Sequence, residues 1–282
     1  MTVPGAGATQ QRGDGSMDFK RKEIGNRGRL TAIAVLVAAT ILFAVWALVF
    51  HHHELCVFIV KNYIETLALL PALTLLGLLA VIVNIDAYIR PDLKRIMGII
   101  VAVVFSLLLQ DHLEYRLMIG QARPFARTLT AIYGYAVRPV VLALFLRIMA
   151  PEKKFGWVWA LVGINAAIYA TALFSPVCFR INWENHYIGA PLSDTSFYVG
   201  VVLLSYWLLL TVRLFEPETR RETWLPVLMF ELIIGALALD INTYDFDQPV
   251  SYFILAAVID CVINYIWLHL QFVREHERAL QA

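Results

Sequence analysis

Charge is scarce in this sequence. Asp, Glu, Lys and Arg make up 16% of its 282 residues, whereas a soluble domain carries roughly a quarter. A net charge of +1 leaves no basic stripe, which argues against nucleic acid as a partner. Cysteine is scarce as well. Cys56, Cys178 and Cys261 stand apart with no CxxC spacing, so neither a disulfide framework nor a zinc site organises the chain. Cys56 and Cys178 fall on the same side of the membrane in the topology below and are open to pairing, whereas Cys261 reads as a packed residue. Enzyme signatures are missing too: the 282 residues hold no GxSxG elbow, no P-loop and no kinase signature set. Asp240 and Asp260 suggest an intramembrane aspartyl dyad, but no motif supports one. No catalytic residue, cofactor or metal is expected of this chain.

Apolar residues, by contrast, make up 60% of the sequence. They fall into separate runs, several reaching the ~20 residues needed to cross a hydrocarbon core of ~30 Å. Eight spanning helices are expected at about 29–50, 66–89, 94–112, 125–149, 156–176, 196–215, 223–242 and 249–272. The fold class is therefore all-α, a polytopic bundle in which a seven-helix unit follows an N-terminal anchor helix. Residues 1–28 are polar and read as a disordered cytoplasmic tail, 29–272 as the bundle, and 273–282 as the start of a cytoplasmic helix. After the first run stands HHHE rather than a small-residue cleavage pattern, which favours a retained signal anchor. His51, His52 and His53 point in different directions on a helix and have no HExxH spacing, so an interfacial role fits them better than metal ligation. No internal repeat is evident, which weakens an inverted-repeat transporter reading.

The cations fix an orientation. One set of segments holds Arg12, Lys20, Arg21, Lys22, Arg27 and Arg29, then Arg90, Lys94 and Arg95, then Arg147, Lys153 and Lys154. It continues with Arg213, Arg220 and Arg221 and ends with Arg274 and Arg278, whereas the opposite set holds only Lys61, Arg116, Arg123, Arg127 and Arg180. The positive-inside rule places the first set in the cytoplasm, with both termini, in the plasma membrane.

The final stretch, YIWLHLQFVREHERALQA, passes from an apolar run into a charged helix. Ile266, His269, Val273, His276 and Leu280 recur at steps of three and four, the spacing of a short coiled-coil seam. A solvated tail is the alternative reading of the same pattern. This run resembles the junction in multi-pass bacterial sensor histidine kinases of the GHKL ATPase type, where a last membrane helix leads into the kinase. FSPVCFRINWENHYIGAPL is similar to an outer loop of those membrane regions, and RTLTAIYGYAVRPVVL to their fourth helix. Related regions also precede diguanylate cyclase domains. The resemblance covers about residues 60–282 and implies a sensor module that signals as a homodimer. A phosphoacceptor His with dimerisation helices and an ATP-binding domain are not within these residues, so the resemblance implies either the sensor portion of a longer protein, acting on an output domain outside this chain, or a stand-alone relative.

Ionisable residues deep in a span cost about 2.5–3.5 kcal/mol each on insertion scales and so point to function. Arg138, Glu231 and Asp260 occupy such positions in the fourth, seventh and eighth runs, and their signs suggest a paired network. Pro139 beside Arg138 removes a backbone donor and frees a carbonyl nearby. That network is either a static salt bridge or one that rearranges on binding. A second group lies at the outer ends: Asp111, His112, Glu114 and Tyr115, with Asp240, Asn242, Tyr244, Asp245 and Asp247. With the loop residues from Arg180 to Tyr187 it suits a cup for a small polar molecule or short peptide. His112, Arg180, Trp183 and His186 are the preferred ligand contacts. Two functions follow from this reading, a membrane receptor module and, as the alternative, a stand-alone transporter or channel.

Overall fold

The structure is a computed structural model that describes residues 63–213, 224–242 and 251–281. The expected tail 1–28, the span at 29–50, the histidine run, Cys56, Tyr244, Asp245, Asp247 and Ala282 lie outside the described residues. Within them seven α-helices run antiparallel: α1 Tyr63–Ile85, α2 Pro91–Ile119, α3 Pro124–Met149, α4 Gly156–Ala170, α5 Thr195–Arg213, α6 Trp224–Asn242 and α7 Tyr252–Gln281. Six of them, α2 to α7, are long and apolar enough to cross a membrane, with α4 counted together with the 3₁₀ turn Thr171–Leu173 that extends it. In α1 the apolar stretch Leu69–Ile85 is shorter.

Local chemistry explains the boundaries. Pro91 and Pro124 open α2 and α3 at the first helical position, where a missing N–H costs nothing. The apolar run of α2 ends near residue 112, but the helix continues to Ile119. Its last turns carry Gln110, which donates to Glu114 one turn on, and Asp111, which reaches Ser251 across the bundle end, so loss of hydropathy did not mean loss of helix. The helical path of α4 stops in the 3₁₀ turn shortly before Pro176.

Helix α3 is central and packs against α2, α4 and α5. The set closes through α5 on α6, α6 on α7 and α7 on α2. One continuous core joins them, with Met97, Leu107, Leu142, Phe145, Leu203 and Ile254 almost wholly buried. The ring of Trp207 meets Phe145 edge-on at 5.7 Å. Gly134 lets α2 approach α3 closely, since a Cβ there would stand 2.7 Å from the Gln110 side chain. Large apolar residues such as Leu70, Ile99, Phe105, Leu109 and Leu209 stand exposed along the helices. In water they would be a liability, whereas a lipid-facing perimeter requires them. Exposed rings mark both ends, with Trp157, Trp159 and Trp224 at one and Phe125, Phe174 and Trp183 at the other, as interfacial belts do. These features make the chain a membrane protein.

The connection from α4 to α5 forms a two-stranded antiparallel hairpin, β1 Phe179–Ile181 and β2 Tyr187–Gly189, in which Arg180 faces Ile188. A small satellite core of Ala131, Tyr169, Cys178 and Phe179 seats it on α3 and α4. Cys178 is a free, buried thiol whose Sγ donates to the Ile168 carbonyl at 3.1 Å, and burial pushes its pKa up.

Candidate functional site

At the hairpin end of the bundle the helices leave a cavity of about 300 Å³. Its floor comes from α3, α5 and α6 through Leu142, Gly200 and Leu237, and Phe253 of α7 closes one side. Tyr187 and Gly189 bring the hairpin to its mouth. The aromatic wall is ordered by stacking: Tyr135 lies on Tyr169 with centroids 4.9 Å apart, and Phe179 lies on Tyr187 at 5.1 Å.

A proline sets up this wall. Pro139 has no N–H to give to the carbonyl of Tyr135, four residues earlier. Two side chains supply donors instead. The Asn165 amide donates from α4 at 3.1 Å and the Ser196 hydroxyl donates from α5 at 3.0 Å. The Tyr169 hydroxyl, next to them, donates to the Ser193 carbonyl at 2.5 Å and accepts from the Ser196 N–H at 3.3 Å. The carbonyl freed by Pro139 is therefore the point where three helices meet.

Arg138 follows on the next turn of the wall. Its guanidinium carbon sits 5.2 Å from the centroid of the Tyr135 ring, and its Nε is buried with no hydrogen-bond partner. Asp240, Asp111 and Glu114 act on it through space, but among the described residues each spends its carboxylate elsewhere. Asp240 Oδ2 accepts from the Ser251 hydroxyl at 2.6 Å and the Phe253 N–H at 3.2 Å, while Oδ1 accepts from the Tyr252 N–H at 2.7 Å. Asp111 accepts from the Ser251 N–H at 2.7 Å, and Glu114 accepts from Gln110 at 2.7 Å. Asp240 and Asp111 thus cap the start of α7, satisfying amides that a helix N-terminus leaves open.

The structure redraws the expected intramembrane network. Arg138, Glu231 and Asp260 are not paired with one another. Glu231 is exposed on α6 because the buried stripe of that helix runs through Leu225, Met229, Ile233 and Ala236, and residue 231 falls on the opposite side. Asp260 is wholly buried in α7, and neither of its carboxyl oxygens has a hydrogen-bond partner among the described residues. The partners that surround Arg138 are acids at the helix ends.

The expected ligand contacts also separate. Arg180 is exposed on β1, His186 is exposed at the hairpin turn, and Trp183 at the tip is 91% exposed. None of them lines the cavity, and His112 is half-buried on α2 away from its lining. Residues 182–186 instead form a latch. Asn182 accepts the His186 N–H at 2.8 Å, and Asn185 takes a left-handed backbone (φ 67°), which Asn tolerates well. The Asn185 amide donates to the carbonyls of Leu117 at 2.8 Å and Met118 at 3.0 Å, and its own carbonyl accepts from the buried Arg127. One residue fastens the hairpin to the ends of α2 and α3. Sequence reasoning assigned this loop to ligand contact because of its rings and charges, when its central Asn is a clamp.

Midway along α7 a third aspartate is at work. Asp86, in the α1–α2 connection, has a side chain only 3% exposed, and it accepts from His269 Nδ1 at 2.7 Å and the Tyr265 hydroxyl at 3.0 Å. Burial alone would push its carboxyl up. The Tyr88 N–H, the imidazole and the Tyr265 hydroxyl outweigh that and hold it below the ordinary 3.8. The Tyr88 ring meets His269 at 5.6 Å and His276 at 6.0 Å, and the Arg90 guanidinium lies 5.8 Å over Phe272. The residues read as a coiled-coil seam divide: His269 packs against the bundle, whereas Ile266 and Leu280 are exposed.

No family model, curated protein or solved structure matches this chain.

Proposed function

We propose that this chain is the membrane-embedded sensor module of a bacterial signal-transduction protein of the histidine-kinase kind. In this reading the hairpin end faces outward, both termini are cytoplasmic in the plasma membrane, and two copies associate. The module has no catalysis of its own and relays an outside signal through α7 to an output domain.

One observation carries the reading: the helix whose first residues close the cavity is, at 30 residues, the longest of the described helices. Phe253 lines the cavity, and 30 residues of α7 at 1.5 Å each span roughly 45 Å, longer than a hydrocarbon core of ~30 Å. Residues 275–280 are exposed beyond the packed part. An occupant of the cavity thus touches the root of a rigid rod whose last residues are exposed. A shift of ~1–2 Å is enough for such coupling. The occupant must also favour one position of α7 over another, or nothing is transmitted.

The test uses spin labels at Glu277→Cys and Lys153→Cys in the full chain in nanodiscs. Filling the cavity with Leu237→Trp is expected to shift the mean distance between the labels. An unchanged distribution would sink the relay, and solute uptake into proteoliposomes that depends on Arg138 would turn the assignment to a transporter. Cysteine-accessibility mapping is expected to label Trp183→Cys from outside and Glu277→Cys from inside only.

A further inference from the structure

The cavity holds one conspicuous piece of unspent chemistry. Asp240, the Tyr169 hydroxyl, Ser193 and Ser196 all line it, and each has its hydrogen bonds made within the protein. Arg138 differs: its guanidinium makes no hydrogen bond to a described residue, stacks against Tyr135, and borders the cavity. A guanidinium offers donors and no acceptor, in a planar fork matched to two oxygens in one plane. Among the described residues, then, nothing fills that fork with an acceptor.

We propose that the cavity takes a small monocarboxylate with an apolar or aromatic body, its carboxylate held in the fork of Arg138 and its body lying against Leu142, Phe197 and Phe253. This rests on the receptor reading and names its ligand class. Charge sets the limit at one carboxylate, because Asp111, Glu114 and Asp240 already surround the guanidinium and Asp194 also lines the cavity, so all of them oppose an incoming anion and each further negative charge adds to that opposition. Volume sets the size, since about 300 Å³ is the lower end of small-molecule sites. The capping aspartate ties occupancy to α7. Asp240 borders the same space while holding the N–H groups of Tyr252 and Phe253, so an anion arriving at Arg138 repels the group that fixes the start of that helix.

The experiment measures binding of butyrate, benzoate and 3-phenylpropionate, each beside its primary amide, to the full chain in detergent. Ligand-observed NMR and thermal stabilisation report the binding. The acids are expected to bind and the amides to bind at least about tenfold more weakly, as loss of a charge-assisted fork implies. Arg138→Gln is expected to abolish the preference, and Arg138→Lys, which keeps the charge without the fork, to lose most of it. Should Arg138→Gln fail to fold, Gly200→Ala carries the test. Its added methyl would stand 3.7 Å from Leu237 and 3.8 Å from Leu142, ordinary contact distances, and is expected to weaken 3-phenylpropionate more than butyrate. Equal binding of acids and amides, acid binding untouched by Arg138→Lys, or no acid bound at all would each overturn the proposal. Failure here is distinguishable from failure of the relay: acids that bind without moving the labels on α7 would leave the ligand class standing and remove the relay. A cavity-filling variant that moves the labels while no acid binds would do the reverse.

Discussion

The start and the middle of α7 are both held by aspartates, but each grip takes a different kind of group. At the hairpin end Asp240 and Asp111 bind backbone amides of Ser251, Tyr252 and Phe253, groups that every helix start possesses. Near the middle Asp86 binds the side chains of Tyr265 and His269, groups peculiar to this helix. A backbone cap tolerates rotation of α7 about its axis poorly, because the amides of three successive residues must converge on two carboxylates. A side-chain grip releases by a rotamer change. The hairpin end thus fixes where α7 begins, and the grip at its middle decides how firmly it is docked. Between them Asp260 is gripped by nothing among the described residues.

The sharpest way to break this contrast is Asp240→Ala. It strands two backbone amides and the Ser251 hydroxyl, with an expected loss of about 2–4 kcal/mol in detergent-unfolding experiments. Asp240→Asn is expected to recover part of that loss. Asp86→Ala comes next, at roughly 2 kcal/mol, since two of its hydrogen bonds are to a charged, buried carboxylate. Its pH dependence sharpens the comparison. A carboxyl held below 3.8 in the folded state contributes fully above that value and loses its contribution as pH falls through the folded pKa. Wild type should therefore lose stability relative to Asp86→Asn below about pH 4, a difference that acid titration of the melting point would reveal. The third change has the opposite sign: Asp260→Leu removes two unpartnered buried oxygens and is expected to raise stability by about 1–2 kcal/mol. A lower melting point there would mean that Asp260 has a partner after all. Smallest is Tyr88→Leu, which removes edge-on contacts to His269 and His276 and should cost below about 1 kcal/mol while loosening α7 beyond Phe272 in hydrogen exchange.

How much of this was legible in the sequence depends on what kind of signal each residue gave. Six of the eight expected spans were, because lipid demands long apolar runs, and their limits at 149, 156 and 242 agree with the helix ends observed. The freed carbonyl near Pro139 was legible too, since proline chemistry is local. Glu231 was misjudged by weighing depth without phase: two residues after Met229 and two before Ile233 lies the far side of a helix, a signal already present in the sequence. The setting of Arg138 was not legible. Its acids come from positions 111, 114 and 240, and only closure of the bundle brings them near. The clamp formed by Asn185 was hidden for the same reason, because its partners are carbonyls, and every residue has one of those.

Pro139 leaves one further consequence. In most helices a sliding neighbour can trade one hydrophobic contact for another at little penalty. Here the oxygen of Tyr135 is shared by an amide from α4 and a hydroxyl from α5, and the proline ring ensures that α3 itself has no hydrogen to offer in their place. Axial slippage of α3 would leave that oxygen dry and unbonded in a medium without water. The missing hydrogen of a single imino acid thereby turns the heights of three helices into one shared coordinate.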